Sequence, residues 1–385
     1  MTTVSRVDPV LLACDLIRKP SVTPRDAGAM DVLQGVLADL GFSCRRMPFG
    51  EIENLYARRG TAGPNLCFAG HTDVVPPGDT GSWSADPFEA RIVDGVLIGR
   101  GAVDMKGGIA AWTAAVAEVL AEGELPGSLS YLITGDEEGV ALDGTKKVVQ
   151  QLIAEGERID HCVVGEPTSA AVLGDTVKVG RRGSLNVWIT VDGRQGHVAY
   201  PERAANPIPT LIHLLDRLQG RRLDEGYPAF PPSNLEVTTI DVGNPATNVI
   251  PPRATARFNI RFNPSHTGAG LIAWIEEECR LASEASGRKV TLETLHSGDA
   301  FLTEPGPFVD AVMGAVEAVT GVRPDPNTKG GTSDARFIRA MCPVVELGLV
   351  GQTMHQIDER VPESEIRQLQ AVYAQLIRGY FKTFA

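Results

Sequence analysis

Five segments of the chain each place a metal-ligating or acid–base side chain directly after an apolar run. They are Phe68–Ala69–Gly70–His71–Thr72–Asp73, the Gly-rich stretch Gly99 to Gly108 around Asp104, Thr134–Gly135–Asp136–Glu137–Glu138–Gly139, Val164–Gly165–Glu166–Pro167–Thr168, and Gln352–Thr353–Met354–His355. Two histidines and three carboxylates drawn from these segments give nitrogen and oxygen ligation suited to Zn²⁺ or Co²⁺, without the thiolates of closed structural zinc sites. Three negative ligands against two divalent ions leave room for a hydroxide, which is the composition of a hydrolytic centre. His71 and Asp73 stand two apart in an extended segment, so their side chains are expected on one side, with the Asp73 carboxylate receiving the second imidazole N–H. The same spacing also suits a polar turn leaving a strand. Glu137 and Glu138 are adjacent carboxylates that repel unless they share a cation or a proton, so one can bind metal while the other stays free as a base. Taken alone, this acidic stretch also reads as a solvated loop, and Glu166 as a helix cap.

Residues this far apart in sequence meet only if the fold gathers strand ends. Apolar runs predict strands at Asn54–Arg58, Asn65–Ala69, Ser128–Thr134 and His161–Val164, alternating with helices at Pro9–Arg18, Asp26–Leu40, Gly108–Ala121 and Thr145–Ala154. That alternation is an α/β class with a mostly parallel sheet flanked by helices, whose strand C-termini converge on a ligand crevice. Between Val179 and Leu295 the pattern becomes strand Ser184–Asp192, helix Asn206–Gln219, strands Asn234–Val242 and Ala254–Phe262, helix Gly268–Ser286 and strand Lys289–Leu295. This βαββαβ order predicts a ferredoxin-like domain, residues 179–295, inserted into a larger domain of residues 1–178 and 296–385. In its third strand Phe258, Ile260 and Phe262 alternate with Arg257, Asn259 and Arg261, giving an apolar core face and an outer arginine face.

With 385 residues, 43% hydrophobic and 22% charged, the chain has the make-up of a globular protein of two or three domains. Its net charge of −12 disfavours nucleic acid or an anionic membrane as a default partner. The excess is uneven: residues 179–295 carry 13 basic and 12 acidic side chains, and the remainder has a net charge of −13. The six cysteines form no CxxC pair, as expected of reduced thiols in the cytoplasm. No leader pattern is read in the N-terminal stretch, and the apolar run Gly107 to Leu120 falls short of the ~20 residues a membrane span requires.

The ordered set GHTDVVPPGD, GRGAVDMKGG, TGDEEG, VVGEPT, QGHVAYP, GGTSDARF and TMHQIDE resembles the dinuclear zinc metallopeptidase family that includes aminoacylase and acetylornithine deacetylase, over nearly the whole chain. GRRGSLNV, GHVAYPERAANP, FPPSNLEV and GGTSDARFI are nearest to the branch that cleaves N-succinyl amino acids. The resemblance implies two Zn²⁺ per subunit, replaceable by Co²⁺. His71 and Glu166 would hold one ion, Glu138 and His355 the other, and Asp104 would bridge them. It further implies Glu137 as general base, Asp73 as the group orienting His71, and a cis peptide at Asp104–Met105. The inserted domain would form a homodimer and lend His197 to the partner's site. Arg181, Asn248, Arg261 and the Gly331–Thr332 turn would grip the carboxylates of a small anionic N-acyl amino acid. Gly351 departs from the pattern, since relatives often carry Asn four residues before the last histidine. A deacylase or aminopeptidase with another substrate, and an inactive amino-acid-binding protein, are the rival expectations.

Overall fold

Strands Asn65–His71 and Ser128–Thr134 are buried along their full length, the pattern of strands covered on both faces. They lie inside an eight-stranded sheet ordered Ser43–Arg46, Asn54–Arg59, Ser128–Thr134, Asn65–His71, His161–Val164, Val344–Glu346, Thr176–Lys178, Asp325–Asn327. The pairings from Ser128–Thr134 through Val344–Glu346 are parallel, Asn54–Arg59 pairs antiparallel with both of its neighbours, and Val344–Glu346 meets Thr176–Lys178 antiparallel. The computed structural model describes residues 6–385; residues 1–5, part of the stretch read above for a leader, lie outside the described residues. The chain divides into two compact units, the first running to Gly180 and resuming at Thr303–Asn327 and Ser333–Ala385, the second comprising Arg181–Leu302 and Thr328–Thr332.

In the first unit, helices Pro9–Ile17, Lys106–Glu122, Pro307–Thr320 and Glu363–Phe384 pack on one another. Phe68 of the sheet stacks on Trp112 at 4.9 Å, and Tyr373 meets both rings edge-on, which joins strand and two helices through one aromatic cluster. Helix Lys106–Glu122 starts where two glycines allow close backbone approach. A Cβ on Gly107 would lie 2.3 Å from the Ala102 carbonyl oxygen, and one on Gly108 2.7 Å from that of Gly165. These glycines seat the helix against the turn that carries Asp104 and the strand end that carries Glu166. A small antiparallel sheet, Arg91–Val93, Val96–Ile98 and Arg360–Pro362, sets Arg360 opposite Ile98 and so brings residue 359 beside the residue 99–104 segment. Neither this sheet nor the helices Pro307–Thr320, Ala335–Ile338 and Glu363–Phe384 were read from the sequence; for the sheet, three-residue strands carry too little periodicity to register.

The second unit has a four-stranded antiparallel sheet ordered Asn234–Asp241, Arg253–Phe262, Gly183–Asp192, Val290–Gly298, with helices Ile208–Gly220 and Gly268–Ser286 packed against it. Along Arg253–Phe262 burial alternates as the period of two requires: Phe258, Ile260 and Phe262 are in the core while Arg257, Asn259 and Arg261 are not. The loop entering its edge strand is held by Asp224. That carboxylate accepts from the Gly226 amide at 2.7 Å, Asn263 Nδ2 at 2.7 Å, His266 Nε2 at 3.0 Å and the Ser233 amide at 3.2 Å. Burial alone would raise the Asp224 carboxyl, but its hydrogen bonds with Ser233, Gly226 and Asn263 hold it at about 2. A carboxyl lowered on folding stabilises above its unfolded pKa and loses that contribution as pH falls through the folded value. Urea unfolding of Asp224→Asn should therefore show its full deficit against wild type at pH 6 and a shrinking one from pH 4 to about 2; a deficit independent of pH would contradict the assignment.

Candidate active site

His71 is the last residue of its strand, Glu166 follows the neighbouring strand by two residues, and Glu137 and Glu138 follow Thr134, which pairs with His71. All leave the same end of the sheet. Asp104 sits in the turn before helix Lys106–Glu122, next to a cis peptide at Asp104–Met105, and His355 follows a short 3₁₀ turn, Gly351–Thr353. His355 has φ of +63°, a left-handed conformation uncommon for a residue with a side chain.

The first unit brings all seven of its expected site residues together. Asp104 Oδ1 lies 3.2 Å from His71 Nε2, and Oδ2 lies 3.3 Å from His355 Nε2. Glu166 Oε1 is 3.8 Å from His71 Nε2, and Glu138 Oε1 is 2.8 Å from His355 Nε2. His71, Asp104 and Glu138, and likewise His71, Glu137 and Glu166, present ligand atoms within 4.8 Å of one another. Five carboxylates, those of Asp73, Asp104, Glu137, Glu138 and Glu166, thus converge on two imidazoles. Burial would raise the Asp104 carboxyl, but hydrogen bonds from His355 and His71 hold it well below its ordinary value. His355 is raised to about 10, first by its hydrogen bond to Asp104 and then by that to Glu138. Burial would lower His71, and Asp104 and Glu166 reverse this to lift it well above its usual range. Two imidazole nitrogens facing this many carboxylate oxygens form a donor set that fits divalent metal.

One expectation is corrected. The Asp73 carboxylate does not take the His71 N–H; the backbone carbonyl of Asp73 accepts it from Nδ1 at 2.8 Å, while Asp73 Oδ1 is 3.7 Å away. The strand ends at His71, and beyond it the Asp73 carbonyl meets the ring while its carboxylate reaches the acidic loop. There it accepts from the Glu137 and Glu138 amides at 3.2 and 3.0 Å. Because a carbonyl only accepts, Nδ1 carries a proton, and Nε2 is the nitrogen directed at Asp104 and Glu166. Burial and the charge of Glu166 push the Glu137 carboxyl well above its ordinary value, as a proton carrier working near neutrality needs.

Four residues of this region were not singled out from the sequence. Buried Glu359 and Arg100 form an ion pair at 2.7 Å. Lys106 is fully buried, lowered by burial to about 7, and donates to the Lys19 carbonyl at 2.8 Å. Asp334 is buried, with Arg336 Nη2 3.8 Å from its Oδ1, and its charge contributes to raising Glu137. Glu359, Arg100, Lys106 and Asp334 lie within the quoted motifs, but a charged residue in a loop carries no periodicity that distinguishes buried from solvated. At Gly351 a Cβ would lie 3.1 Å from the Pro167 carbonyl oxygen, so glycine permits a tight passage behind Glu166.

The remaining expected residues belong to the second unit. His197 pairs with Val249 in a two-residue ladder, and the Val198 amide donates to the Asn248 carbonyl at 3.1 Å, so His197 and Asn248 are neighbours. The Ala199 amide donates to His197 Nδ1 at 3.1 Å, which places the proton of a neutral ring on Nε2. Arg181 Nη1 donates to the Gly331 carbonyl at 3.2 Å, tying that arginine to the Gly331–Thr332 turn. Arg261 is partly buried, and burial followed by the neighbouring Arg182 charge lowers its pKa.

The description of Peptidase family M20/M25/M40 matches residues 67–379. The chain is 68% identical over 379 residues to succinyl-diaminopimelate desuccinylase of Caulobacter vibrioides, covering 98% of this chain and 97% of that protein. It is 61% identical to the protein of the same name from Maricaulis maris, covering 98% and 97%. Among solved structures, an M20 family metallo-carboxypeptidase from Sulfolobus solfataricus superposes with a TM-score of 0.80 at 16% identity, covering 97% of this chain and 99% of that one. A dinuclear metal-binding M20 peptidase from Bacillus subtilis gives 0.69 at 16%, covering 97% and 98%. These last two likenesses bear on the fold.

Asp73→Asn leaves one acceptor oxygen for two amides. Turnover should fall about 10- to 100-fold, the usual cost of losing an outer-shell partner, with the unfolding midpoint little changed; unchanged turnover in steady-state assays would mean that the acidic loop holds its position unaided.

Proposed function

The chain belongs to the peptidase family M20/M25/M40, and from that premise we propose that it hydrolyses N-succinyl-LL-2,6-diaminopimelate to succinate and LL-2,6-diaminopimelate in the cytoplasm. The observation that carries the reading is Asp104, whose two oxygens each face a different histidine Nε2, with Glu137 beside them. His71 and Glu166 would hold one divalent ion, Glu138 and His355 the other, and Asp104 both. Zn²⁺ is the ion we propose, with Co²⁺ as a substitute, on the nitrogen and oxygen character of the donors. When bound, the two ions supply Lewis acidity toward water and toward the scissile carbonyl.

Glu137 takes the proton of the attacking water as the new C–O bond forms, then passes it to the leaving nitrogen as the C–N bond breaks. Its raised pKa suits both directions of transfer. His197 would donate from Nε2 to the developing oxyanion, the tautomer fixed by the Ala199 amide being the donating one. We assign this role across a homodimer formed through the second unit. Arg181, Asn248, Arg261, Gly331 and Thr332 would bind the substrate carboxylates. A substrate of this charge is repelled by the −13 remainder of the chain, whereas residues 179–295 are near neutral and carry the arginines.

A panel of N-succinyl and N-acetyl amino acids tests the substrate. N-succinyl-LL-2,6-diaminopimelate should give the highest kcat/KM, with loss of turnover in chelator; an N-acetyl amino acid as the preferred substrate would move the chain to another branch, and chelator-resistant turnover would remove the metals. Glu137→Gln should retain metal and lose turnover by about 10²- to 10⁴-fold. Mixing inactive His197→Ala and Glu137→Gln subunits should restore part of the activity, because half the sites of the mixed dimer are complete; no recovery in a verified mixed dimer would place His197 outside the partner's site.

A further inference from the structure

Glu359 is fully buried, yet all of its acceptor capacity is spent on one short turn. Oε2 accepts from Arg100 Nη1 at 2.7 Å and from the Gly101 amide at 3.1 Å. Oε1 accepts from the Val103 amide at 2.8 Å and the Asp104 amide at 3.0 Å. With both oxygens occupied by N–H donors, Glu359 is not a sixth ligand; it is the group that shapes the backbone presenting Asp104. Arg100 completes a link to the other side of the site, because Nη2 donates to the His355 carbonyl at 3.4 Å while the guanidinium lies over the Trp83 ring at 5.2 Å. The Gly99 amide also donates to the Glu359 carbonyl at 2.9 Å, locking the two segments in register.

The segment between these residues is conformationally demanding. His355 and Asp358 have φ of +63° and +55°, a region that residues with side chains adopt only when their surroundings hold them there. A buried ion pair contributes little net stability compared with well-packed apolar side chains of the same volume. Its geometry accounts for it better than stability does: one pair grips the amide of Asp104 and the carbonyl of His355, whose side chains face each other at 3.3 Å.

We propose that Arg100 and Glu359 are a positioning pair that holds Asp104 and His355 at the spacing a shared ion requires. The proposal rests on the reading of those two residues as metal ligands. Neither Arg100 nor Glu359 touches metal or substrate in this assignment.

The test is calorimetric titration of metal-free wild type, Glu359→Gln and Arg100→Lys with Zn²⁺ against a competing chelator, alongside hydrogen exchange of the peptide spanning residues 99–106 and urea unfolding of each metal-free protein. Glutamine has the shape of glutamate but a single acceptor oxygen, so its NH₂ must face N–H donors on one side of the turn. Glu359→Gln should bind the ion shared with His355 about 10- to 100-fold more weakly, with faster exchange confined to residues 99–106. Lysine keeps the charge against Glu359 but cannot span to the His355 carbonyl as well, so Arg100→Lys should weaken the same ion without releasing the amides. Folded variants with wild-type affinity for both ions would overturn the proposal, and so would weakened affinity accompanied by faster exchange throughout the protein. If Glu359→Gln does not fold, Arg100→Lys decides by the same criterion. A wild-type chain that takes up fewer than two ions sinks the metal reading and this proposal with it, whereas two ions in wild type and in an indistinguishable variant sink this proposal alone.

Discussion

Asp104 must offer its two oxygens to two different imidazoles at once, and much of the first unit is arranged around that requirement. The carboxylate is nearly buried and surrounded by other acids, a setting that ordinarily favours its neutral form. It stays charged because His71 and His355 face it from opposite ends of the sequence. Each imidazole is fixed by its own local chemistry: His71 by the Asp73 carbonyl, His355 by a left-handed backbone beside Arg100. The glycines at 107 and 108 allow the helix after Asp104 to start within contact of the Glu166 strand end, so the acids converge without a side chain between them.

The sequence made the ligand segments legible because each stands where an apolar run ends, and parallel strands bring such ends together. Elements of regular period were read to within a few residues: Ser128–Thr134, His161–Val164, Thr145–Ala154 and Gly268–Ser286 match their strands and helices residue for residue. What period cannot encode was missed. The three-stranded sheet that carries residue 359 to residue 100 consists of strands of three residues, and the Arg100–Glu359 pair reads in sequence like any solvated charge. Asp73 shows a subtler limit. Its place near His71 followed from spacing, but whether its carbonyl or its carboxylate would meet the ring depended on where the strand ended.

Charge is distributed as differently as structure. Residues 179–295 are close to neutral, while the rest of the chain carries the acidic excess, part of which is the site itself. On the proposed reading this separates two tasks that conflict electrostatically: concentrating carboxylates to hold cations, and receiving a substrate that is itself an anion. Arg261, on the antiparallel sheet whose apolar face is closed by its own two helices, and Arg181, tied to the Gly331 carbonyl, would perform the second.

Sharing of Asp104 by two ions is tested most directly by anomalous diffraction from crystals grown with Co²⁺. Two peaks should flank the Asp104 carboxylate, one beside His71 and Glu166 and the other beside Glu138 and His355. A single peak, or two peaks with Asp104 in contact with only one, would contradict it.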